Sequence, residues 1–568
     1  MVNYVLFRNK FIFCTFVTIM IAELFLIPLL FIVFAGWGCW AKLLLSVRNE
    51  SITISVIAGL ALYGLAACII AFFIPLNIPV EIFLLVVAVV PYFLKNIRRH
   101  LPPIPKTILK NEWFWGFALM IILAGSYYTF RPDHFGYYVP TLKWLNQYGL
   151  IIGLANIDWI LGQTSFMHII QAGIDQTIDP YGRFGIFFVI LFLVYIFERK
   201  SFLLLLFIPF YFLFFQSPSP DLPIVFFSLI VVNELCFHYK RSHFKILFII
   251  SVFAFVIKPL VFWLPLWVLI VTLYRDRDEL KSIRNYIFSG ILVLVFLIKN
   301  VIAASTLFYP VTFTKINTYW LPDRQVLELS DREAVTFTYD LNYDVNTIRS
   351  FSSFEKIVHW LTLPDLQTIM VLAIVITLLG FGIFSLWKKS FIYITLFSVA
   401  IFKLIIVFSF SGQFRFMLDI IYPMIFILLS SLKIRRLPIL FVSLVLFIAA
   451  LLFVSFPDLG KRMLPSFKLT KAMTGFTKGA LIRPENFPAD TYKEGKIGNL
   501  TFHTPVNDRY NYETPPPALT KTTMIKYYRL GIFPQWKDPD CVHKGFYTRA
   551  LSNEEREALG RMIENLQQ

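Results

Sequence analysis

Stretches of roughly 20 apolar residues recur along the chain, and this pattern limits the fold more than any other feature. An apolar helix of about 20 residues spans the hydrocarbon core of a bilayer. Hydrophobic residues make up 57% of the 568 residues and charged residues only 15%, whereas a soluble domain carries about 25% charged residues. We therefore predict an all-α polytopic membrane protein with about 12–14 transmembrane helices.

Lysine and arginine are concentrated in alternate connections between the apolar stretches. These basic connections lie near residues 95–110, 199–200, 240–245, 275–284, 388–389 and 433–436. Because positively charged loops stay on the cytoplasmic side, the other connections are predicted to be external. They include the long polar segments 131–183 and 311–365 and the tail 457–568. The pattern thus predicts a transmembrane domain over residues 1–456 and a small soluble α/β domain over residues 457–568. The functional segments of both are expected on the extracytoplasmic side.

The formal net charge of +17 does not indicate a nucleic-acid-binding protein. Such proteins carry a basic stripe on a soluble face, whereas the basic residues here form short clusters between apolar runs and fit an interaction with membrane lipids. The predicted cytoplasmic loops contain neither a Walker A sequence nor a GxGxxG turn, so ATP and nucleotide sugars are not the expected substrates. An enzyme working outside would use an activated group already in the membrane, such as a polyprenyl-phosphate sugar.

The C-terminal tail contains its own secondary-structure signals. Residues 496–503 are predicted to form one strand. Ser552 and Glu555 have the spacing of a capping box, which predicts the start of a closing helix. The tail is therefore expected to form a small mixed module that packs on the membrane domain.

Polar residues follow directly after the apolar run that ends near residue 130. Asp133 and His134 open this segment, and Pro140 begins a short amphipathic helix that ends at Gly149. A carboxylate at a membrane exit can accept a proton from an acceptor hydroxyl or hold a divalent ion against a pyrophosphate. The alternative is a solvated aspartate that caps the next turn. The residues alone favour this second interpretation.

Asp221 and three basic residues occupy comparable positions at predicted external span ends. Asp221 stands between two prolines at the start of an apolar run, which on the sequence alone is an ordinary N-cap position. Lys258, Lys299 and Arg415 can neutralise a leaving phosphate in a low-dielectric site. The alternative for each basic residue is a side chain that snorkels to the membrane surface.

Two charged residues, Glu23 and Lys403, are predicted to lie deep within spans. A charge at that depth usually has a partner or lines a wet cavity, so both are candidates for structural ion pairs. His134 and His168 are candidates for a base or a ligand, although their spacing matches no HxxxH or HExxH metal motif.

Four short motifs between residues 133 and 416 resemble those of bacterial GT-C glycosyltransferases and follow in the same order. Asp133 with Tyr137-Tyr-Val-Pro140, followed by the Trp144 helix and Gly153-Leu-Ala-Asn156, resembles the first external loop of these enzymes, where an Asp-x-x-x-Tyr-x-x-Pro-like stretch carries the catalytic acidic residue. The other three motifs are Ser217-Pro-Ser-Pro-Asp-Leu222, which is similar to the second acidic position; Lys299-Asn300 with Phe308-Tyr-Pro310, which resembles an (Arg/Lys)-Asn…Tyr-Pro stretch; and Gln413-Phe-Arg-Phe416, which resembles a late Arg-Phe motif.

The resemblance implies a GT-C superfamily enzyme that depends on a polyprenyl-phosphate sugar. It would transfer the sugar to a cell-envelope lipid, glycan or protein on the periplasmic face of a bacterial inner membrane. Asp133 and Asp221 would be the catalytic acidic residues, and they would also hold a divalent cation if the reaction uses one. The candidates for binding substrate or phosphate are Lys258, Lys299, Asn300, Arg415, Tyr138 and His134.

One stretch departs from the pattern of these enzymes. Relatives often carry a basic residue before the glycine-containing turn, whereas residues 157–162 read Ile-Asp-Trp-Ile-Leu-Gly. Either donor or acceptor binding in this loop or the activity itself is therefore expected to differ. Two alternatives stay open: a transporter or flippase that moves lipid-linked glycans, and a non-catalytic scaffold with a GT-C-like fold.

Overall fold

The fold is known from a computed structural model and is mostly helical. The described residues are 2–46, 51–98, 100–101, 105–126, 129, 133–240, 243–339, 341–364, 366–456, 492–506, 510–511 and 514–566. The predicted domain boundary after residue 456 falls directly after the last helix of the membrane part, and residues 457–491 lie outside the described residues. The structure of the C-terminal part therefore begins at Tyr492.

The α-helices are numbered in chain order. In the first half they are α1 (Val2–Leu45), α2 (Ile52–Ala71), α3 (Ile78–Phe93), α4 (Lys95–Arg98), α5 (Lys106–Leu109), α6 (Glu112–Gly125), α7 (Val139–Tyr148), α8 (Phe166–Ala172), α9 (Phe184–Arg199), α10 (Asp221–Phe237), α11 (Phe244–Ile257), α12 (Trp263–Arg275) and α13 (Arg277–Leu280). The second half contains α14 (Ile287–Ala304), α15 (Arg324–Thr338), α16 (Val345–Ser350), α17 (Ser353–Leu361), α18 (Leu366–Lys388), α19 (Phe391–Phe410), α20 (Leu418–Ser430), α21 (Arg436–Ser455), α22 (Lys521–Leu530) and α23 (Asn553–Glu564).

Among the described residues, six helices are long and apolar enough to cross a membrane: Glu23–Leu45 within α1, α2, α14, Gln367–Lys388 within α18, α19 and α21. Shorter apolar helices, including α3, α6, α11 and α20, accompany them. Helix α2 is 78% buried inside the protein, whereas α19 and α21 are each only 28% buried. The prediction of a polytopic helical membrane protein is confirmed in outline, with α2 at the centre and apolar faces of α19 and α21 on the outside.

Glycines allow the first two helices to cross closely. A Cβ atom at Gly59 would collide with the backbone carbonyl of Phe34 and with the backbone of Gly38 on α1. Small residues permit such close backbone approach, and packing of this kind drives helix association in lipid. At the other side of α2, the Ser51 side chain accepts a hydrogen bond from the amide of Ile54. The glycine contacts and this cap together fix α2 in the core.

The prediction of one continuous strand over residues 496–503 is wrong. Two antiparallel strands occupy this region, β1 (Tyr492–Ile497) and β2 (Leu500–Pro505). The chain reverses at Gly498, whose φ of 60° lies in the left-handed region that favours glycine. A second hairpin pairs β3 (Ile532–Trp536) with β4 (Phe546–Ala550). The predicted capping box is confirmed, because the Ser552 and Glu555 side chains cap the start of α23 reciprocally.

The C-terminal hairpins pack against the first long polar segment of the membrane part. Asn156 joins the two, because its Oδ1 accepts a hydrogen bond of 2.6 Å from the Thr548 hydroxyl and its Nδ2 donates one of 2.9 Å to the Trp320 carbonyl. The Tyr527 hydroxyl donates to the Asn156 carbonyl at 2.6 Å. A Cβ atom at Gly153 would collide with the Phe546 carbonyl of β4. The Gly153–Asn156 motif is therefore the junction between the C-terminal part and the membrane part.

Replacing Asn156 with Ala is expected to loosen this junction. The substitution leaves buried hydrogen-bonding groups without partners, and each such group costs about 1–3 kcal/mol. Amide hydrogen exchange in β4 should become faster. The control is Asn285→Ala, since the Asn285 side chain donates a hydrogen bond of 2.8 Å to the Glu279 carbonyl, away from the junction. Equal exchange of β4 in both variants would contradict the assignment.

Candidate functional site

Asp133 and Arg415 meet although 282 positions separate them in the sequence. Asp133 directly precedes a π-helical turn, His134–Tyr138, that continues into α7, and α7 ends at Gly149 as predicted. Arg415 lies in the short 3-10 turn Phe414–Phe416 before α20. Its guanidinium is 3.4 Å from Asp133 Oδ2, and the two side chains are 34% and 38% exposed. The Asp133 side chain makes no cap hydrogen bond to this turn, so the capping interpretation does not describe it.

Asp221 and Lys258 form a second ion pair beside the first. Asp221 is the first residue of α10, one position after the cap, and Lys258 ends α11. The Lys258 ammonium contacts Asp221 Oδ1, and the side chains are 18% and 11% exposed. Both cations lie over the ring of Phe416, with Lys258 Nζ at 4.6 Å and the Arg415 guanidinium carbon at 5.1 Å from its centroid. Asp133, Asp221, Lys258 and Arg415 therefore form one four-charge network.

The surroundings shift the pKa values of the two cations in this network in opposite directions. Burial lowers the pKa of Lys258, and the nearby Arg415 charge adds to this effect, in opposition to the Asp221 carboxylate. Burial also acts to lower the pKa of Arg415, but the carboxylates of Asp133 and Asp221 outweigh it and raise the pKa above the ordinary value. Arg415 is therefore a permanent positive charge, and Lys258 is the cation that depends more on its carboxylate partner.

A third ion pair lies deeper, where the sequence predicts a charge within a span. The Lys403 ammonium of α19 contacts Asp419 Oδ1 of α20, and the side chains are 0% and 4% exposed. Trp263 Nε1 donates a 2.7 Å hydrogen bond to the other Asp419 oxygen. Lys403 thus has the structural partner that its depth required. Asp419 was not singled out from the sequence, because nothing in its neighbourhood shows which helix it faces.

Tyr138 and His168 pack beside the four-charge network. The Tyr138 hydroxyl lies 3.4 Å from Ser219 Oγ, which in turn accepts a 3.4 Å hydrogen bond from the Asp221 amide. The Tyr138 and His168 rings are 5.1 Å apart. Among the described residues, His134 Nδ1 is buried without a hydrogen-bond partner. Of the candidates for substrate binding, Tyr138 thus has a defined link to Asp221, whereas His134 has no described link to the network.

Lys299 and Asn300 face other partners. Lys299 is 1% exposed, and its ammonium donates hydrogen bonds of 2.6 Å to the Thr164 carbonyl and to Asn300 Oδ1. Asn300 Nδ2 donates at 2.8 Å to the Leu307 carbonyl. These contacts tie α14 to two neighbouring loops. Within the described parts of the chain, neither residue forms an ion pair or hydrogen bond with the four-charge network.

Asp158, where the chain departs from the GT-C pattern, joins the C-terminal part to the membrane part. Its Oδ1 accepts a 3.3 Å hydrogen bond from the Ile160 amide, and its Oδ2 accepts one of 3.2 Å from the Thr523 hydroxyl. Burial raises the pKa of this carboxyl. The nearby ion pair of Lys526 with Glu333, at 2.5 Å, joins α22 to α15. The position at which the sequence departs from the GT-C-like pattern is therefore a contact between the membrane part and the C-terminal part.

Two further carboxylates are buried in the membrane part. Glu81 is 0% exposed and accepts hydrogen bonds of 2.8–3.1 Å from the amides of Gln176, Thr177 and Ile178. Glu23 is 2% exposed, and its Oε2 accepts a 2.7 Å hydrogen bond from the Ser126 hydroxyl. Glu81 holds a neighbouring segment in place, and it was missed because it opens an apolar helix without any motif. Glu23, a candidate for an ion pair, has a hydrogen bond instead, and no ion pair joins it to another described side chain.

A divalent cation between Asp133 and Asp221 would compete with the basic partners of both carboxylates. Asp133 and Asp221 each contact a cationic side chain, and a cation at that distance opposes metal binding. Across the described ranges, no three His, Cys, Asp or Glu side chains are grouped as metal ligands. Alternating positive and negative groups suit a phosphate on one substrate and a proton-donating hydroxyl beside it.

The buried histidine beside the network predicts a pH dependence of stability. Burial and the Lys299 charge lower the pKa of His168 from 6.5 to about 3. Between these values the unfolded chain binds a proton that the folded protein does not, so the free energy of unfolding falls as the pH falls, by up to about 1.4 kcal/mol per pH unit. His168 also accepts a hydrogen bond from the Ser165 amide in a capping box.

Thermal unfolding measured between pH 7 and 5 checks this prediction. The His168→Gln variant keeps a side-chain acceptor for the Ser165 amide and removes the titrating ring. We expect its melting temperature to depend less on pH than that of the wild type. An identical dependence would show that His168 is not the responsible group.

The fold and the site define a helical membrane protein with a charge network built from four distant segments. The chain belongs to a family described as a domain of unknown function, DUF8201, which matches residues 20–422. The matched region includes all four members of the network and the Lys403–Asp419 pair, and it ends before the C-terminal hairpins. No curated protein matches the chain, and no solved structure matches it.

Proposed function

We propose that this protein is a GT-C-type glycosyltransferase of a bacterial inner membrane. It transfers a sugar from a polyprenyl-phosphate-linked donor to a cell-envelope acceptor. The membrane domain contains about 12–14 transmembrane helices in this proposal, and the four-charge network faces the periplasm, since the basic connections occupy the cytoplasmic side.

The convergence of Asp133–Arg415 and Asp221–Lys258 is the observation that supports the proposal. Their two cations lie over one aromatic side chain, Phe416, at 4.6 Å and 5.1 Å from its ring centroid. Holding like charges this close is favourable only when anions accompany them. A lipid phosphate can bind both cations at once, while the partly exposed Asp133 remains open to a second substrate.

The chemistry follows from these positions. The acceptor hydroxyl gives its proton to the Asp133 carboxylate as its oxygen bonds to the anomeric carbon of the donor sugar. The bond between that carbon and the phosphate oxygen breaks, and its electron pair stays on the phosphate. Arg415 and Lys258 neutralise the negative charge that develops there. Asp221 keeps Lys258 protonated and in position between turnovers.

Lys299, Asn300 and His134 have supporting roles in this proposal. The Lys299 ammonium and Asn300 side chain hold the loop at Thr164 and the turn at Leu307, and Thr164 directly precedes the segment that carries His168. His134 directly follows Asp133 and is the first residue of the turn that presents the carboxylate. Their substitution would alter the position of the catalytic groups without removing a reacting atom.

The main alternative is a transporter or flippase of lipid-linked glycans, and one experiment separates the two functions. Purified protein in proteoliposomes is given a polyprenyl-phosphate sugar that carries one label on the sugar and another on the lipid, together with an envelope extract as acceptor. A glycosyltransferase separates the two labels, because the bond to phosphate breaks. A transporter moves both labels together between leaflets. Retention of both labels on one molecule would reject the proposal, and retention without movement would favour a non-catalytic scaffold.

A further inference from the structure

A cavity of about 240 Å³ lies at the ends of α9, α10 and α20, remote from the four-charge network. Lys200, Asn233 and Ser430 are among its lining residues. Helix α10 begins at Asp221 in the network and ends at Phe237 in the cavity wall, so its 17 residues separate the two places by about 25 Å. The cavity is therefore a second cluster of polar residues, at the opposite end of α10 from the four-charge network.

Two cations in the cavity wall have no acidic partner among the described residues. Lys200 is the residue directly after α9 and caps its C-terminus with a φ of 56°. The Arg436 guanidinium stacks on the Phe202 ring at 4.3 Å, and no described side chain accepts a hydrogen bond from it. The adjacent Arg199 behaves differently, since it is bound to Glu234 at 2.6 Å. The positive charge that faces the cavity is thus available to an anion.

The rest of the wall combines neutral polar groups with apolar side chains. Ser201 and Asn233 form a hydrogen bond of 3.0 Å at one side. Phe237 and Phe426 pack edge to face at 5.6 Å on another side, and Phe237 is 44% exposed. A phosphate bound by the two cations would therefore have a hydrophobic surface beside it. The apolar part of the wall suits an acyl chain, which a free inorganic phosphate lacks.

Helix α21 gives the position of this cavity relative to the bilayer. It begins at Arg436 and is one of the helices that are long and apolar enough to cross a membrane. A basic residue at the first position of a span lies at the level of the lipid headgroups. Basic pockets between transmembrane helices at this level bind the headgroups of anionic lipids.

We propose that the cavity between Lys200 and Arg436 is a binding site for the phosphate headgroup of an anionic membrane lipid in the leaflet opposite the four-charge network. The cations bind the phosphate, the Ser201 hydroxyl, held by Asn233, lies beside the polar part of the headgroup, and an acyl chain follows Phe237. This site is independent of the proposed sugar transfer.

Lipid binding to purified full-length protein tests the inference. Native mass spectrometry in detergent measures the apparent affinity for phosphatidylglycerol, for the zwitterionic phosphatidylcholine and for inorganic phosphate alone. The test variant is Lys200→Gln/Arg436→Gln. The matched control is Lys433→Gln/Arg435→Gln, which removes the same charge from exposed residues of the same basic connection that do not line the cavity. Thermal unfolding checks that both variants are folded, and the single variant Arg436→Gln serves if the double variant is not.

The wild type and the control are expected to prefer phosphatidylglycerol, whereas the test variant should bind it at least tenfold more weakly, because charge-assisted hydrogen bonds to phosphate are lost. The single variant should lie between them. Equal weakening in the test and control variants would overturn the inference in favour of diffuse surface charge. Binding of inorganic phosphate without a preference for the anionic lipid would overturn the assignment of a lipid as the ligand.

Discussion

Replacing Asp133 with Asn is expected to lower sugar transfer by about 10²–10⁴-fold, the usual contribution of a general base. The amide keeps the size of the side chain but cannot accept the proton of the acceptor hydroxyl. The Asp133–Arg415 contact is long, at 3.4 Å, and both side chains are more than one third exposed, so its loss should cost less than about 1 kcal/mol of stability. The variant should therefore fold and still bind the donor lipid. Transfer is measured with labelled donor and normalised to folded protein.

The control for this experiment is Asp278→Asn. Asp278 also pairs with a basic residue, Lys281, at 2.8 Å, and its side chain is 81% exposed. It lies in one of the basic connections, away from the four-charge network, so transfer should stay at the wild-type rate. Undiminished transfer by Asp133→Asn would remove Asp133 from the mechanism, and an equal loss in both variants would point to a general effect of charge.

Replacing Lys403 with Met is expected to destabilise the protein by about 3–5 kcal/mol, because it leaves a buried carboxylate without its cation. The Asp419 side chain is only 4% exposed, so water cannot take the place of the ammonium. Trp263 would remain as a hydrogen-bond donor to the carboxylate, which does not neutralise the charge. A large fall in the melting temperature of the purified protein is the expected observation.

The double variant Lys403→Met/Asp419→Asn should recover most of this loss. The asparagine carries no charge, and its side-chain oxygen can still accept the hydrogen bond from Trp263. For comparison, Lys281→Met breaks an exposed pair and should change stability by less than about 1 kcal/mol. If the single and double variants melted at the same temperature, the buried pair would not explain the effect.

Local signals in the sequence predicted those parts of the fold that depend on neighbouring residues. The apolar runs identified helices such as α2 and α21, and the spacing of Ser552 and Glu555 identified the start of α23. The hairpin at Gly498 was missed although the sequence contains a signal for it, because Gly498-Asn499 is a typical two-residue hairpin turn and Ile497 and Leu500 are three positions apart, which breaks the alternation of a single strand. Helix length alone also does not determine which apolar helices are central and which face outward.

The sequence predicted the individual residues of the site, but it did not predict which of them form ion pairs with each other. Asp133, Asp221, Lys258 and Arg415 each stood at the end of an apolar run, but the choice of partner depends on how α10, α11 and α20 pack. The same packing gives Lys299 the Thr164 carbonyl as a partner. The spacing of residues along the sequence does not predict such contacts between helices.

Photocrosslinking of the donor lipid tests most directly whether the four-charge network is the substrate site. A polyprenyl phosphate with a photoreactive group next to the phosphate is added to the wild-type protein in proteoliposomes, and mass spectrometry identifies the labelled peptides. Labelling should concentrate on the segments around Asp133, Asp221, Lys258 and Arg415 and should be displaced by unlabelled polyprenyl phosphate. Labelling confined to the cavity at Lys200 and Arg436, or labelling that excess polyprenyl phosphate does not displace, would contradict the account.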